Sequence, residues 1–441
     1  MRDRGVTRRK FLTSTGIGLA GLSTFGLSVL QGGSRSSGTP AYGAPADVEW
    51  WISVRGGPEY ASTDQSLVSQ FNASQSQYKV NWNAIPSGGS NTWYEKLGTA
   101  IASGTQPDAV AGTAYMPWQY NAIGQTSILD DVVAELKAEG KINDFVPGVL
   151  DLMKFNGHYV CLPSGYDIRV PYYRKDILDK NGLKAPKTWD DLMRLGAALK
   201  KQNIYLYAFA SGQFGWQQMM AFVFNNGGGL FDKQRNVAVI SERNLEAATF
   251  ISEMVKQKYI SPNSPGMSKD DATKAFAEGQ AVIYINQPAL PATLPNLAGK
   301  LDLLDPTAGP HGDKGTLYWV NNCFSFSKSK SPAGGKAWIK WWAVNNGPLF
   351  WQGHAQQLPV RKSVGANAYF NSDISKRLIT EWLPIGRTMG THYPTLFPQL
   401  NSVEGEGELA VLVNDLLSGK DPKQALQTAQ RSIETIMKRT A

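Results

Sequence analysis

Cysteine is scarce in this sequence, since Cys161 and Cys323 are the only two among 441 residues. So few cysteines exclude a disulfide framework as the basis of the fold. The two thiols could pair in an oxidising compartment, but we favour the interpretation that they are buried separately.

Histidine is scarce too, and the four residues of this type are scattered: His158, His311, His354 and His392. None falls in an H-E-x-x-H or comparable spacing, and the sequence contains no G-x-S-x-G nucleophile elbow. A secreted glycoside hydrolase or lyase would need paired carboxylates, or a set of Tyr or His with Arg. We therefore expect no catalytic residues, no metal site and no cofactor.

Clustered basic residues are absent once the N-terminal segment is set aside. The formal net charge is +8, but six basic residues and one Asp lie within the first 46 residues. The rest of the chain therefore carries a net charge of about +3. No Lys/Arg cluster remains there that would suggest nucleic acid as a partner.

The first 46 residues have the pattern of an export signal. Arg8 and Arg9 precede a stretch from Phe11 to Leu30 that contains no charge. A basic start, a mildly apolar middle and small residues at the end are typical of a signal peptide. The paired arginines indicate the twin-arginine type.

Cleavage of this signal is predicted after the A-x-A pattern that ends at Ala46, and cuts after Ala41 or Ala44 stay open. An uncleaved membrane anchor is the alternative, since about 20 uncharged residues can span a bilayer. The Gly and hydroxyl residues of this stretch disfavour the anchor, because they partition poorly into lipid. With no Cys near the end of the segment to carry a lipid, we expect a soluble periplasmic protein.

The chain that remains after residues 1–46 is too long for a single core and suits two domains. Strand and helix signals alternate along it, which predicts an α/β architecture with largely parallel sheets. Apolar residues alternate from Val48 to Val54 as a first strand, and Ala109–Ala111 form a short apolar one. Thr188 and Asp421 have the sequence context of helix N-caps.

Several segments resemble the motifs of one family, in the same order. They are Tyr94–Asp108, Asn156–Tyr159, Tyr173–Leu192, Phe276–Val282 and Leu358–Ser363. These are similar to the motifs Y-x-x-K-L-…-S-G-x-x-P-D, G-K-x-Y-x-x-P, Y-N-K-D-…-P-x-T-W-D-E-L, F-x-x-G-x-A-A-M and L-P-V-R. The family is that of the extracellular solute-binding proteins of carbohydrate ABC transporters, the maltose-binding-like class. The departures include His158, Arg174 and Asp191, which replace the Lys, Asn and Glu of these motifs.

The resemblance implies a periplasmic-binding-protein type 2 fold, in which two α/β lobes are joined by a hinge and enclose a cleft. It implies an N-lobe of residues 47–165 and 306–360, and a C-lobe of residues 166–305 and 361–441. By the same resemblance, the chain is a monomer that binds a carbohydrate ligand and delivers it to ABC permease subunits in the inner membrane. It would not be an enzyme.

Asp167 and Arg169 stand two residues apart at the start of an apolar, aromatic run. By the resemblance, Asp167 falls where the family places an acidic residue that accepts hydrogen bonds from sugar hydroxyls. A carboxylate offers about four acceptor sites, which suits neighbouring hydroxyls. Arg169 would either orient Asp167 or contact the ligand. The alternative is a salt bridge between the two residues with no role in binding.

Aromatic rings are expected beside these charges, because the apolar face of a sugar packs on an aromatic ring. The segment Gly212–Trp216 lies where the family has a cleft loop that bears aromatic residues. We predict Trp216 as a stacking platform and Phe214 as a second ring. Further candidates are Tyr115, Trp118 and Trp319.

Other polar candidates follow from the strand ends, because ligands of open α/β sheets bind beyond the carboxyl ends of strands. Arg55 follows the predicted first strand, and the amides Asn286 and Asn321 complete the set. After Asn286 the family often has a Trp that stacks on the sugar, whereas this chain continues with Gln287. The size and polarity of the ligand therefore stay open.

Two alternative functions remain. The same fold could bind a solute other than a sugar, such as a polyamine, a metal ion or a phosphorylated metabolite. A secreted carbohydrate-active enzyme is the other alternative, and a product formed from an oligosaccharide would identify it.

Overall fold

The computed structural model describes residues 44–54, 58–86, 92–112 and 115–440. The predicted export signal up to residue 43 and the predicted ligand residue Arg55 lie outside the described residues. All elements named below belong to one compact unit, Pro45–Ala441.

The strands of the described residues form two main sheets and a two-stranded hairpin. In chain order they are β1 (Ala46–Val54), β2 (Tyr78–Pro86), β3 (Ala109–Ala111), β4 (Lys154–Phe155), β5 (His158–Tyr159), β6 (Leu162–Ile168), β7 (Val170–Arg174), β8 (Tyr205–Tyr207), β9 (Ala281–Asn286), β10 (Leu301–Leu303), β11 (Thr316–Ser325) and β12 (Gly386–Arg387).

Helices alternate with these strands and then dominate the last part of the chain. They are α1 (Pro58–Ser74), α2 (Thr92–Ala102), α3 (Met116–Ala122), α4 (Asp130–Ala138), α5 (Lys175–Lys180), α6 (Trp189–Lys200), α7 (Gly212–Asn225), α8 (Glu242–Lys256), α9 (Lys269–Ala277), α10 (Leu290–Thr293), α11 (Pro332–Asn345), α12 (Pro348–Trp351), α13 (Lys362–Gly365), α14 (Asp373–Arg377), α15 (Leu400–Gly405), α16 (Glu408–Leu417) and α17 (Pro422–Arg439). Short 3₁₀ segments are Lys141–Asp144, Asp151–Met153, Ser264–Gly266, Pro295–Leu297, Ala368–Phe370 and Leu383–Ile385, and Leu378–Trp382 is a π-helical turn.

The first sheet has the strand order β12-β11-β3-β1-β2, and β6 also pairs with β11. β1 runs parallel to β2 and β3, whereas β11 is antiparallel to β3 and β6. Val48, Trp50 and Ile52 of β1 are buried, as expected for alternate residues that share one face of a strand. The predicted first strand and the predicted strand Ala109–Ala111 are therefore both confirmed.

The second sheet has the strand order β10-β7-β9-β8. Only β8 and β9 run parallel in it, while β7 is antiparallel to both β9 and β10. The expectation of largely parallel sheets is therefore wrong for this half of the molecule. β7 enters this sheet directly from β6 of the first sheet, after the single residue Arg169. Its direction is therefore set by this crossing between the sheets and not by a βαβ unit within the second sheet, which would make it parallel to its neighbours.

Aromatic residues form the centre of the first core. The ring of Trp50 in β1 lies 5.4 Å from the ring centroids of both Trp338 and Trp342 in α11. Phe71 of α1 completes the group, with its ring 5.2 Å from that of Trp338. Each such side chain contributes about 1.5–3 kcal/mol when it is fully buried. This packing fixes β1, whose carboxyl end leads toward the predicted cleft.

The chain passes between the two sheets more than once. Arg169 is the first crossing, and the segment between β10 and β11 returns the chain to the first sheet. A bridge between Tyr166 and Leu358 ties a later segment to β6. The lobe boundaries expected from the sequence stay predictions.

Candidate functional site

Asp167 and Arg169 lie where the chain leaves the first sheet for the second. Nη1 and Nη2 of Arg169 donate to Oδ1 of Asp167 at 2.5 Å and to Oδ2 at 3.2 Å. The Arg169 side chain is only 3% exposed, while that of Asp167 is 16% exposed. This two-point contact fixes the orientation of the carboxylate. Each carboxylate oxygen still has a lone pair free, so Asp167 can accept a further hydrogen bond from a ligand.

Arg169 is also held from its other sides. Its Nε donates to Oε1 of Gln217 at 2.8 Å. Its guanidinium carbon lies 5.6 Å from the ring centroid of Phe214 and 4.8 Å from that of Trp319, which is within the range of cation–π contacts. Trp319 is also the residue opposite Asp167 in the β6–β11 ladder. Arg169 therefore orders the carboxylate and both rings as one cluster.

Trp216 occupies a different setting from the one expected. The predicted cleft loop Gly212–Trp216 is wrong, because these residues form the first turns of α7. The Trp216 side chain is fully buried, and its ring packs edge-on against that of Trp319 at 5.9 Å. Burial of Trp216 and of the apolar run Met219–Phe224 outweighs the poor helix propensity of the two glycines. Contact between Trp216 and a ligand stays a prediction.

Three polar residues join the cluster that the sequence did not predict as ligands. Gln217 accepts the hydrogen bond from Arg169 Nε. Lys269, the first residue of α9, donates from Nζ to Oε1 of Gln287 at 2.9 Å. The same Nζ lies 5.2 Å from the ring centroid of Phe214. All three side chains are partly exposed, so they form the solvent-facing part of the cluster together with Asp167.

The charged form of Lys269 is unfavourable in this position, because the side chain is partly removed from water and lies near Arg169. Burial lowers the pKa of Lys269, and the positive charge of Arg169 lowers it further. Asp167 and Asp270 act in the opposite direction. A cation that is partly removed from water favours a negative or strongly accepting partner.

Asn286 is buried at the end of β9 and Asn321 is buried within β11, both on strands near this cluster. Asn286 Oδ1 accepts a hydrogen bond from the backbone N–H of Gln287 at 2.7 Å, and the residue lies opposite Val170 in the β7–β9 ladder. Asn321 lies opposite Gly165, and its Nδ2 has no hydrogen-bond partner among the described residues. A buried amide donor of this kind is available to a ligand or to water. The ligand roles of both residues stay predictions.

Tyr115 and Trp118 lie at the start of α3, beyond the carboxyl end of β3. Both rings are buried. Tyr115 Oη accepts from the backbone N–H of Met389 at 3.3 Å, and Trp118 Nε1 donates to the carbonyl oxygen of Lys154 at 3.0 Å. Trp118 thus belongs to the core around α3, and the geometry does not bring it to Asp167. Contacts of either residue with a ligand stay predictions.

The residues that the sequence missed could have been found in part. Gln217 lies three residues after Phe214, so a helical interpretation of this segment would have placed both on one face. Ser268 and Asp271 form a capping box that marks the start of α9 at Lys269. The contact between Lys269 and Gln287 joins two elements, and no local pattern predicts it.

Other kinds of site find no support in the part of the chain that the structure describes. No group of three or more His, Cys, Asp or Glu residues there could hold a metal ion. No helix in the same residues is both long enough and apolar enough to cross a membrane. Cys161 and Cys323 are both buried as free thiols.

Comparisons with known sequences agree on one group of proteins. A family model described as bacterial extracellular solute-binding protein matches residues 57–345. A putative binding protein of Brucella abortus is 24% identical over 297 residues, which are 63% of this chain and 67% of that protein. The diacetylchitobiose binding protein of Streptomyces coelicolor is 27% identical over 273 residues, which are 57% of this chain and 55% of that protein.

Solved structures resemble the whole described unit. The crystal structure of a sugar transporter from Arthrobacter chlorophenolicus with bound laminaribiose aligns with a TM-score of 0.82. That chain is 27% identical, over 89% of this chain and 99% of its own length. A maltose-bound protein of T. maritima, at 18% identity, aligns over 88% of this chain and 99% of its own with a TM-score of 0.74, which shows the fold alone. The predicted fold of two α/β lobes is thus confirmed.

Proposed function

Since this chain belongs to the family of bacterial extracellular solute-binding proteins, we propose that it captures a sugar or oligosaccharide between its two lobes. It then delivers this ligand to the membrane permease of an ABC transporter. Laminaribiose and diacetylchitobiose are the first candidate ligands to test. One similar structure contains bound laminaribiose, and one relative is named as a diacetylchitobiose binding protein.

One observation carries this proposal: Arg169 holds the carboxylate of Asp167 in place and also contacts the rings of Phe214 and Trp319. Sugar recognition needs acceptors for hydroxyl groups and an apolar surface for the ring face. Asp167 supplies the acceptors, the ring of Phe214 lies beside the guanidinium of Arg169, and the amides of Gln217 and Gln287 can donate and accept. The buried ring of Trp216 packs edge-on against Trp319 and supports that ring in this proposal.

The order of this cluster favours tight binding. Asp167 and the surrounding rings are already oriented by Arg169, so a ligand does not have to immobilise them. Closure of the lobes would then exclude water and strengthen the hydrogen bonds to the sugar. The chain releases its ligand unchanged in this proposal, and incubation with an oligosaccharide should yield no product.

Export follows from the N-terminal segment. We propose that Arg8 and Arg9 direct the chain through the twin-arginine route, and that the processed protein is a soluble periplasmic monomer. A cut after Ala44 would leave β1 whole, whereas a cut after Ala46 would remove its first residue. Arg8→Lys combined with Arg9→Lys should leave unprocessed protein in the cytoplasm. Normal periplasmic accumulation of this double variant would contradict the route.

The binding function is tested by thermal shift and calorimetry with a panel of neutral saccharides. A ligand present at about 100 times its Kd adds roughly 2.7 kcal/mol to the free energy of unfolding, which is easily detected. Asp167→Asn should weaken binding about 10- to 150-fold, which corresponds to about 1.5–3 kcal/mol for hydrogen bonds to a charged group.

A matched control for Asp167→Asn exists nearby in the chain, at Asp176 in α5. Arg174 and Asp176 form a second two-point pair with the same spacing in sequence, at 2.9 Å and 2.8 Å. Asp176→Asn therefore also leaves a buried arginine without its anionic partner and should lower the melting temperature. Its affinity for the sugar should stay at the wild-type value. Equal affinities of the Asp167 and Asp176 variants would reject Asp167 as a ligand residue.

A further inference from the structure

Lys269 is the cation of the cluster that has no anionic partner in the part of the chain that the structure describes. The ion pairs formed by these residues include none with Lys269, and both oxygens of Asp167 accept from Arg169. Asp270 follows Lys269 directly, but its side chain is exposed to water. The hydrogen bond of Lys269 goes to the neutral amide oxygen of Gln287 at 2.9 Å.

The position of Lys269 is fixed by the fold. Ser268 caps α9 by accepting from the backbone N–H of Asp271, and Asp271 Oδ2 accepts from the backbone N–H of Ser268 at 2.9 Å. The ammonium group of Lys269 and the guanidinium of Arg169 both lie beside the ring of Phe214, at 5.2 Å and 5.6 Å from its centroid. Lys269 is thus held at the solvent-facing part of the cluster, beside the surface that would contact a sugar.

A ligand that covers Lys269 must compensate its charge. Taking an ammonium group out of water is costly unless it meets a charged or strongly accepting partner. The fork of Arg169, which would suit a phosphate, already holds Asp167. Lys269 instead presents a compact point charge beside one amide, and it can pair with a carboxylate through a charge-assisted hydrogen bond.

We propose that the ligand of this cleft is a sugar that carries a carboxylate, a uronic acid or an oligosaccharide containing one, and that Lys269 pairs with this group. Asp167 accepts from hydroxyls of the same sugar. This inference rests on the proposed sugar-binding function and narrows its substrate class. Lys269 is then the residue that separates acidic from neutral sugars.

The test compares matched pairs of ligands on the full processed protein. Glucose is compared with glucuronate, galactose with galacturonate, and cellobiose with the corresponding disaccharide that ends in glucuronate. Glucose 6-phosphate is included as the phosphorylated alternative. At least one uronate should bind 10-fold or more tightly than its neutral partner, which is the size of one charge-assisted hydrogen bond.

Variants assign the preference to Lys269. Lys269→Met keeps most of the length of the side chain without its charge and should abolish the preference, while Lys269→Arg should retain a large part of it. Lys274→Met is the control, because Lys274 lies in the same helix with a side chain that is 73% exposed. This control should bind uronates as the wild type does.

Each other outcome has a defined meaning. Neutral sugars that bind as tightly as their uronates, or a preference for glucose 6-phosphate, would overturn the inference. In the first case the proposed sugar-binding function would still stand. A uronate preference that survives in Lys269→Met would reject the role of Lys269. Failure of all these sugars, and of the panel of neutral saccharides, would reject the proposed function together with the inference.

Discussion

A carboxylate with no cationic partner among the described residues lies in the core beside the first sheet. Asp64 of α1 is fully buried and accepts three hydrogen bonds from indole groups. Trp50 Nε1 and Trp82 Nε1 donate to Oδ2 at 2.9 Å and 2.8 Å, and Trp342 Nε1 donates to Oδ1 at 2.7 Å. The three donors come from β1, β2 and α11, so this one side chain ties a helix to both neighbouring strands and to the opposite helix. Its role is structural and separate from the predicted cleft.

Replacement of Asp64 by Asn should destabilise the protein without affecting its site. An amide has one acceptor oxygen in place of two, and its NH₂ group would face an indole N–H. At least one buried donor would lose its acceptor, which costs about 1–3 kcal/mol for each group. Urea unfolding should therefore show a lower free energy of unfolding for Asp64→Asn, with sugar affinity per folded molecule unchanged. Asp151→Asn, at a side chain that is 75% exposed, should leave both quantities near wild type.

Asp64 should also contribute to the pH dependence of stability. Burial raises the pKa of Asp64 above its ordinary value of 3.8, against the opposing effect of the three indole hydrogen bonds. The folded state then holds the proton more tightly than the unfolded state. This contribution to stability is complete below pH 3.8 and is lost as pH rises through the raised pKa. The difference in unfolding free energy between wild type and Asp64→Asn should therefore shrink with rising pH, and growth of this difference would contradict a raised pKa of Asp64.

At the scale of elements, the start of α7 positions much of the candidate site. Phe214 and Gln217 both lie in its first two turns. The helix can approach the residues after β8 closely because residue 215 is glycine. A Cβ atom there would lie 2.3 Å from the carbonyl oxygen of Ala210 and 3.4 Å from Cγ1 of Val413. Backbone atoms cannot move aside as a flexible side chain can, so any larger residue would shift the helix.

Gly215→Ala should therefore lower both stability and affinity. Overpacking of this kind costs about 1–3 kcal/mol, and the shifted helix would misplace Phe214 and Gln217. Gly98→Ala in α2 is the matched control, because no atom lies within 4 Å of the Cβ that it would add. That control should be neutral or stabilising by up to about 1 kcal/mol, as expected for Gly→Ala within a helix. Calorimetry and thermal melts on both variants measure the two effects. Wild-type affinity in Gly215→Ala would show that the site does not depend on the close packing of α7 against Ala210.

The elements that the sequence predicts well are those with local signals. The alternation in β1, the capping box of Thr188 with Asp191 and the N-cap Asp421 before Pro422 are all confirmed. The helical start of α7 was missed because its glycines suggest a loop, while the burial that makes it a helix comes from distant contacts. The antiparallel pairing in the second sheet is not predicted either, because the pairing of strands also depends on contacts between residues that are distant in sequence. The pairing of Asp167 with Arg169 is local, whereas the contacts of Arg169 with Gln217 and of Lys269 with Gln287 depend on the fold.

At the scale of the whole molecule, contacts link α3 to the last part of the chain. α3 follows β3 of the first sheet, while α15 packs against α16 and α17, and α16 packs against α7. Asn401 Nδ2 of α15 donates to Oε1 of Gln119 in α3 at 2.5 Å. By the predicted lobe boundaries, this hydrogen bond joins the N-lobe to the C-lobe away from the crossings, so it would break if the lobes separated. The N–H of Met389 also donates to Tyr115 Oη, but Met389 follows β12 of the first sheet.

Ligand binding should shift the lobes toward the closed arrangement. A ligand that contacts both lobes binds the closed form better, and it shifts the population by that difference in affinity. Small-angle scattering should show a smaller radius of gyration at saturating ligand than without it. Asp167→Asn at the same ligand concentration serves as the control and should show a smaller change. An unchanged radius of the wild type at saturation would contradict closure.

Asn401→Ala should weaken ligand binding, although Asn401 is not one of the residues proposed to contact the sugar. The substitution removes a hydrogen bond that exists only while α15 and α3 are in contact, so it destabilises the closed form and spares the open one. A hydrogen bond of this kind contributes about 0.5–1.5 kcal/mol, which predicts a loss of affinity of about 2- to 12-fold. Gln119→Ala should cost the same amount. The double variant should cost no more than either single one, because all three lose the same contact. Additive losses in calorimetry would show instead that the two residues act independently, and that the contact does not couple closure to binding.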